Sequence, residues 1–165
     1  MCGEMKQQNS YDYNIRLERR FAKQIKAILG MVFIGQDPVM DREKATDFYV
    51  LNIKPFQVAC RLRTYRFYEG FKNQFTIRCS LASGNETELD KIRKGFANYI
   101  FYGFVDKKEE KIIRCFIGDL NVFREWEGGM KIQVYENKDK YPSKLAVYEI
   151  GAFPKNFIVK FYDKN

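Results

Sequence analysis

Apolar residues first recur at helical spacing. Leu17, Phe21, Ile25, Ile28 and Leu29 fall three or four residues apart and make one stripe. The spacing predicts an amphipathic helix that begins near Ile15 and is ended by Gly30, a residue suited to the position just past a helix C-terminus. Arg16, Arg19, Arg20, Lys23 and Lys26 fill the wetter side, while Glu18 steps with Ala22, Ile25 and Leu29 and so belongs at the edge of the buried stripe. The preceding MCGEMKQQNSYDY is polar and reads as a flexible tail over residues 1–13, leaving 14–165 as one domain.

Beyond the helix the period changes to two. MVFIG (31–35) reads as a short strand or extended connection, and the proline-broken QDPVMDREKA as a loop. DFYVLNI (47–53), rich in β-formers, suits a strand buried on both faces. In FQVACRLR (56–63), Phe56, Val58, Cys60 and Leu62 face one way and Gln57, Ala59, Arg61 and Arg63 the other. QFTIRC repeats the alternation, and the link TYRFYEGFKN predicts that the two runs pair antiparallel. SGNETELDKIRKGFANY holds a second helix, with Asn85 or Thr87 as its cap and Leu89 and Ile92 as its core positions. YIFYGFV (99–105), the turn DKKEEK and KIIRCFIGDL (111–120) form a hairpin. NVFREW predicts a helical turn, and KIQVYE, KLAVYEIG and NFIVKFY supply further strands. Together these elements predict a single α+β domain, a mixed or antiparallel sheet flanked by two helices.

Composition narrows the chemistry. With 165 residues, 45 % of them apolar and 16 % aromatic, the chain can bury one useful core. The longest apolar run, AILGMVFIG, is about half the ~20 residues of a spanning helix, so no membrane association is expected. Cys2, Cys60, Cys79 and Cys115 contain no C-x-x-C spacing, and the last three sit in apolar runs that suit buried free thiols. A reducing, cytoplasmic location is the expectation. The absence of histidine excludes Ser-His and Cys-His pairs, a histidine base and HExxH metal sites. GxGxxG and P-loop patterns are absent too, which removes support for a nucleotide cradle.

Charge adds a candidate partner. The net charge is +8, and between Lys54 and Arg78 six basic residues face one acid, Glu69. Such a bias points to a polyanion. On paired strands Arg61, Arg63 and Arg78 would form a row, with Arg66 and Lys72 at its loop end. Tyr65, Tyr68, Tyr99 and Tyr102 would offer stacking surfaces for unpaired bases. Glu88 and Lys91, one turn apart, fit an ordinary surface ion pair.

LERRFAKQIKAILG, ATDFYVL, VACRLR, FTIR and TELDKI, in this order of elements, resemble the PD-(D/E)xK (restriction-endonuclease-like) superfamily, including small phage and prophage proteins with that fold. The resemblance covers residues 15–120 and implies a core in which a helix, a mixed sheet and a second helix surround a metal site. It matches Glu18 to the helix acid and Asp47 to the strand-start acid, which in active members hold Mg²⁺ or Mn²⁺ for phosphodiester cleavage. The (D/E)-x-K position departs from the pattern. Arg61-Leu62-Arg63 stands there, and a guanidinium neither ligates Mg²⁺ nor serves as a base near neutral pH. Glu69, Glu88 or Asp119 would have to complete the cage of an active nuclease. The reading favoured by the residues drops cleavage and needs no cofactor: Glu18 or Asp47 pairs with Arg61 or Arg63. The expected protein is then nucleic-acid-associated, of phage or mobile-element type, with a degenerate metal site. An active Mg²⁺-dependent nuclease and a small inhibitor or adaptor that binds a host protein are the alternatives.

Overall fold

A computed structural model describes residues 10–35, 49–50, 57–130, 132–137 and 142–164. The first helix begins earlier than its pattern predicts: α1 (Ser10–Arg20) includes four residues assigned to the tail, and only residues 1–9 of that tail lie outside the described chain. α2 (Ala22–Phe33) follows after Phe21 alone. The Phe21 N–H donates to the Leu17 carbonyl at 3.1 Å and its carbonyl accepts from Ile25 N–H at 2.9 Å, so the apolar stripe runs through both helices. Gly30 lies inside α2 instead of ending it.

Strands β1 (Ile34–Gly35) and β2 (Tyr49–Val50) pair antiparallel; the rest of the 47–53 strand lies outside the described residues. Next come β3 (Val58–Arg63), a short α3 (Tyr68–Phe71), β4 (Gln74–Leu81) and α4 (Glu88–Arg93). β5 (Tyr99–Val105) and β6 (Ile112–Asp119) form the expected hairpin, followed by α5 (Leu120–Glu127). β7 (Gln133–Asn137), β8 (Ser143–Glu149) and β9 (Ile158–Asp163) complete the domain.

The architecture is α+β, but its larger strands divide between two sheets. One is mixed, in the order β3-β5-β6-β9, with β3 parallel to β5 and the other pairs antiparallel. The other is antiparallel, β4-β8-β7. The expected β3–β4 hairpin is therefore not formed. β3 takes β5 as its neighbour and β4 takes β8. The reason lies in β5, where every residue from Ile100 to Val105 is buried. A strand apolar on both faces needs a cover on each side. α1 and α2 supply one cover, packing Leu17, Phe21 and Ile25 against Leu62, Phe101, Val105, Cys115 and Ile117. β4 and β8 supply the other, bringing Phe75, Ile77, Ala146 and Tyr148 onto Ile100, Tyr102, Phe104 and Phe116.

Phe75 is the centre of the second core. Its ring centroid lies 5.2 Å from Tyr148, 5.5 Å from Phe116 and 5.6 Å from Phe157. This aromatic layer is closed by α5, whose buried Glu127 joins three elements. Arg93 Nε donates to Glu127 Oε2 at 3.2 Å, and the Tyr148 hydroxyl donates to Oε1 at 3.1 Å. Burial and the facing carboxylate raise the Tyr148 pKa, so its hydroxyl keeps the proton it donates.

Gly103 on β5 makes room for the side chains of its two neighbouring strands, β3 and β6. A Cβ there would stand 2.9 Å from Cys115 Cβ and 3.1 Å from Leu62 Cδ2. Gly103→Ala should therefore lower unfolding stability by about 1–3 kcal/mol through overpacking. Urea denaturation checks this, and a midpoint equal to that of the parent would show that Leu62 and Cys115 yield freely.

Candidate functional site

β3 is an edge strand of the mixed sheet among the described residues, and its two faces have different fates. Val58, Cys60 and Leu62 pack beneath α1 and α2. Arg61 and Arg63 point the opposite way, in register with Tyr102 and Phe104 of the core-facing side of β5. That side is roofed by the second sheet and α4. The arginines are consequently not a solvent-facing row.

Arg61 forms an ion pair with Glu88 at the start of α4; their side chains are 13 % and 24 % exposed. The same carboxylate accepts the Arg78 backbone N–H at 3.3 Å. Arg61 Nε is buried without an acceptor among the described residues. Thr87 sets Glu88 in place by capping α4. Its hydroxyl accepts from Asp90 N–H at 3.2 Å while its own N–H donates to Asp90 Oδ2 at 2.9 Å, a reciprocal capping box. Glu88, assigned from the sequence to a surface pair with Lys91, thus becomes the partner of Arg61. A cap in front of an acid is a local signal, but only the packing of α4 over β3 shows where that acid reaches.

Glu18 reaches the same place from α1, half-buried. Burial raises its pKa above the ordinary carboxylate value. The Arg61 charge and the Leu62 N–H pull it down, Glu88 pushes it up and Arg63 pulls it down. Glu18, Arg61, Arg78, Glu86, Glu88 and Lys91 line a cleft of about 540 Å³, floored by apolar residues that include Val58 and Ile92. The expected association of Glu18 with Arg61 is present as a neighbouring charge, whereas the direct salt bridge belongs to Glu88. Asp47 lies outside the described residues, so the acid pair matched by the resemblance is not seen. Of the other acids weighed for a metal cage, Glu69 accepts the Tyr65 hydroxyl at 3.1 Å and Asp119 caps α5 through Asn121 N–H at 2.7 Å. Among the described residues no group of three His, Cys, Asp or Glu is placed to hold a metal ion.

Arg63 is held inside the fold. Its Nε donates to the Tyr102 hydroxyl at 3.1 Å, its other end donates to Thr76 Oγ1, and it lies 5.5 Å from the Phe67 ring centroid. Arg78 is half-buried at the cleft. Tyr68 and Tyr102 are core residues, so neither is an open stacking surface. The remaining sequence candidates fare differently. Arg66 and Lys72 are exposed on the turn between β3 and β4, each over an aromatic ring: Arg66 4.6 Å from the Phe67 centroid, Lys72 5.8 Å from that of Tyr68. Lys107 on the β5–β6 turn, not singled out by the sequence, lies 4.9 Å from the Tyr65 centroid. Phe71, 52 % exposed, stands beside Phe67. These residues make a cationic and aromatic surface at one end of the mixed sheet.

Cys60, Cys79 and Cys115 are free thiols, Cys115 buried as expected and Cys60 and Cys79 half-buried. Burial pushes Cys60 up to about 11 and Cys115 up to about 12, so neither is an activated nucleophile. No family model matches this chain, and neither a curated protein nor a solved structure matches it.

Two measurements test the cleft. Removing either partner of the Arg61–Glu88 pair leaves the other half-buried and uncompensated, so Arg61→Ala and Glu88→Ala should each cost about 1–3 kcal/mol. In urea denaturation the double variant should recover about 1 kcal/mol relative to the sum, and strict additivity would show that the two do not interact. Glu18 binds its proton more tightly folded than unfolded. Its contribution is therefore favourable below pH 4.5 and is lost as pH rises from there through the raised folded value. Glu18→Gln should remove that fall, so the variant gains on the parent across this window. Parallel stability profiles would contradict the assignment.

Proposed function

We propose that this protein binds nucleic acid and does not cut it, on a nuclease-like frame whose metal site is degenerate. The observation that carries the binding is the surface at the β3–β4 turn. Arg66, Lys72 and Lys107 are positioned over the rings of Phe67, Tyr68 and Tyr65, beside the exposed Phe71. Cations there meet phosphates and an exposed ring receives a base, the combination that single-stranded segments require. Packing a long cation along a ring also limits its freedom, so less ordering is left for the moment of binding.

The cleft supports the second half of the reading. Where the resemblance puts an acid of the metal cage, Arg61 is paired with Glu88 and faces Glu18. The guanidinium satisfies Glu88 with a hydrogen bond, acts on Glu18 as a neighbouring positive charge and repels a divalent cation. The mixed sheet carries α1 and α2 on one face; on the other, α4 shares the cover with the antiparallel sheet, a departure from the helix–sheet–helix core that the resemblance implies.

The test combines binding and cleavage on labelled single-stranded DNA, duplex DNA and RNA with Mg²⁺ or Mn²⁺. The expected outcome is intact substrate, bound at low salt, with affinity that falls steeply as salt rises. Arg66→Gln/Lys72→Gln/Lys107→Gln should weaken single-strand binding about tenfold or more with little change in stability. Metal-dependent cutting that vanishes in Asp47→Ala would replace this reading with a nuclease. The absence of both binding and cutting would direct attention to a protein partner.

A further inference from the structure

The solvent face of α1 and α2 carries a second basic surface, separate from the aromatic cluster. Between Arg16 and Lys26 the one acid is Glu18, and it is turned towards the cleft. Leu17, Phe21 and Ile25 define the buried side. At ~100° per residue, Arg16, Arg19, Arg20, Lys23 and Lys26 occupy the opposite arc, about 120° wide, and all five are exposed. Arg20 lies 3.8 Å from Glu109. Arg16, Arg19, Lys23 and Lys26 have no ion-pair partner among the described residues. Because Phe21 keeps its helical hydrogen bonds on both sides, the row is continuous.

Its length and chemistry select a partner. Ten residues of helix span ~15 Å, about four steps of a strand whose phosphates repeat every ~3.4 Å along the axis. The row includes no aromatic side chain between Arg16 and Lys26, so it offers phosphate contacts and nothing for a base to stack on. A rigid cationic rod suits the regular phosphates of a double helix, whereas the Phe71 cluster suits unpaired bases. The two surfaces are joined through the β5–β6 turn. Its Glu109 accepts the Tyr13 hydroxyl and neighbours Arg20 of α1, its Glu110 carbonyl accepts from Gln24 of α2 at 2.9 Å, and its Lys107 lies over Tyr65. Burial and Glu109 raise Tyr13 to about 12, so the hydroxyl that ties α1 to this turn stays protonated.

We infer that the partner is a nucleic-acid duplex with an unpaired segment: the α1–α2 face lies along the duplex phosphates and the β3–β4 turn takes the unpaired bases. This rests on the nucleic-acid reading above and narrows its substrate class.

The experiment measures affinity for three DNA probes across a salt series: a blunt duplex, the same duplex with a single-stranded overhang, and the overhang strand alone. The full chain is compared with Arg16→Gln/Arg19→Gln/Lys23→Gln/Lys26→Gln and with the turn variant Arg66→Gln/Lys72→Gln/Lys107→Gln, each checked for an unchanged melting temperature. The overhang duplex should bind at least tenfold more tightly than either other probe. The helix variant should lose most of its affinity for both duplexes, with the salt slope falling by ~3 or more, and keep its affinity for the single strand. If the helix variant binds both duplexes with unchanged affinity and slope while the turn variant still weakens single-strand binding, this inference fails and the nucleic-acid reading survives. If no probe binds, both fail.

Discussion

A strand that is apolar on both faces cannot be left half-covered, and β5 imposes that condition on the whole domain. Ile100, Tyr102 and Phe104 need one roof and Phe101 and Val105 another. The helix pair answers the second need, and a separate antiparallel sheet answers the first. Once β4 is drawn into that roof, β3 is left at the sheet edge with its arginines facing the join between layers. Gly118 permits the close approach of Phe157, for a Cβ there would stand 2.8 Å from its ring.

The cleft is a consequence of this layering. Arg61 and Arg63 lie on the covered face of β3, so each must be satisfied from within: Arg61 by Glu88, Arg63 by Tyr102 and Thr76. Buried or half-buried guanidinium groups without such partners would cost several kcal/mol. The network therefore holds α4 and the second sheet against β3 whether or not a ligand enters the cleft. Two groups of exposed cations lie apart from it, on the α1–α2 face and at the β3–β4 turn. Neither needs an internal ion pair, because water solvates them.

Several residues carried enough local information to be placed correctly in advance. The helical stripe of Leu17, Phe21 and Ile25, the alternation in VACRLR and QFTIRC, the β5–β6 hairpin and a helix cap at Asn85 or Thr87, of which the structure uses Thr87, all express short-range periodicity or backbone hydrogen bonding. Glu18 was legible as an acid at the edge of a buried stripe, and the structure puts it in the cleft. Arg66 and Lys72 were legible as exposed loop cations. The errors at β3 and β4 share one cause. A short link between β3 and β4 suggested a hairpin, but strand pairing is settled by which partners can bury a strand's faces, and β5 outcompeted β4. That displacement converted Arg63 from a binding candidate into a core-edge donor and brought Glu88, 27 residues away in sequence, onto Arg61.

By itself, then, the sequence determined what acts over a few residues: periods of two and 3.6, the helix cap, the thiols in apolar settings and the chemistry that a chain without histidine forgoes. Only the tertiary structure decided how the strands divided into two sheets, which arginines were covered, which carboxylate met Arg61 and which cations remained on the surface. Those outcomes depend on contacts between residues far apart in the chain, such as Arg61 with Glu88 and Lys107 with Tyr65. Their energies come from burying shared surface, a quantity that belongs to pairs of elements and cannot be read from either element alone.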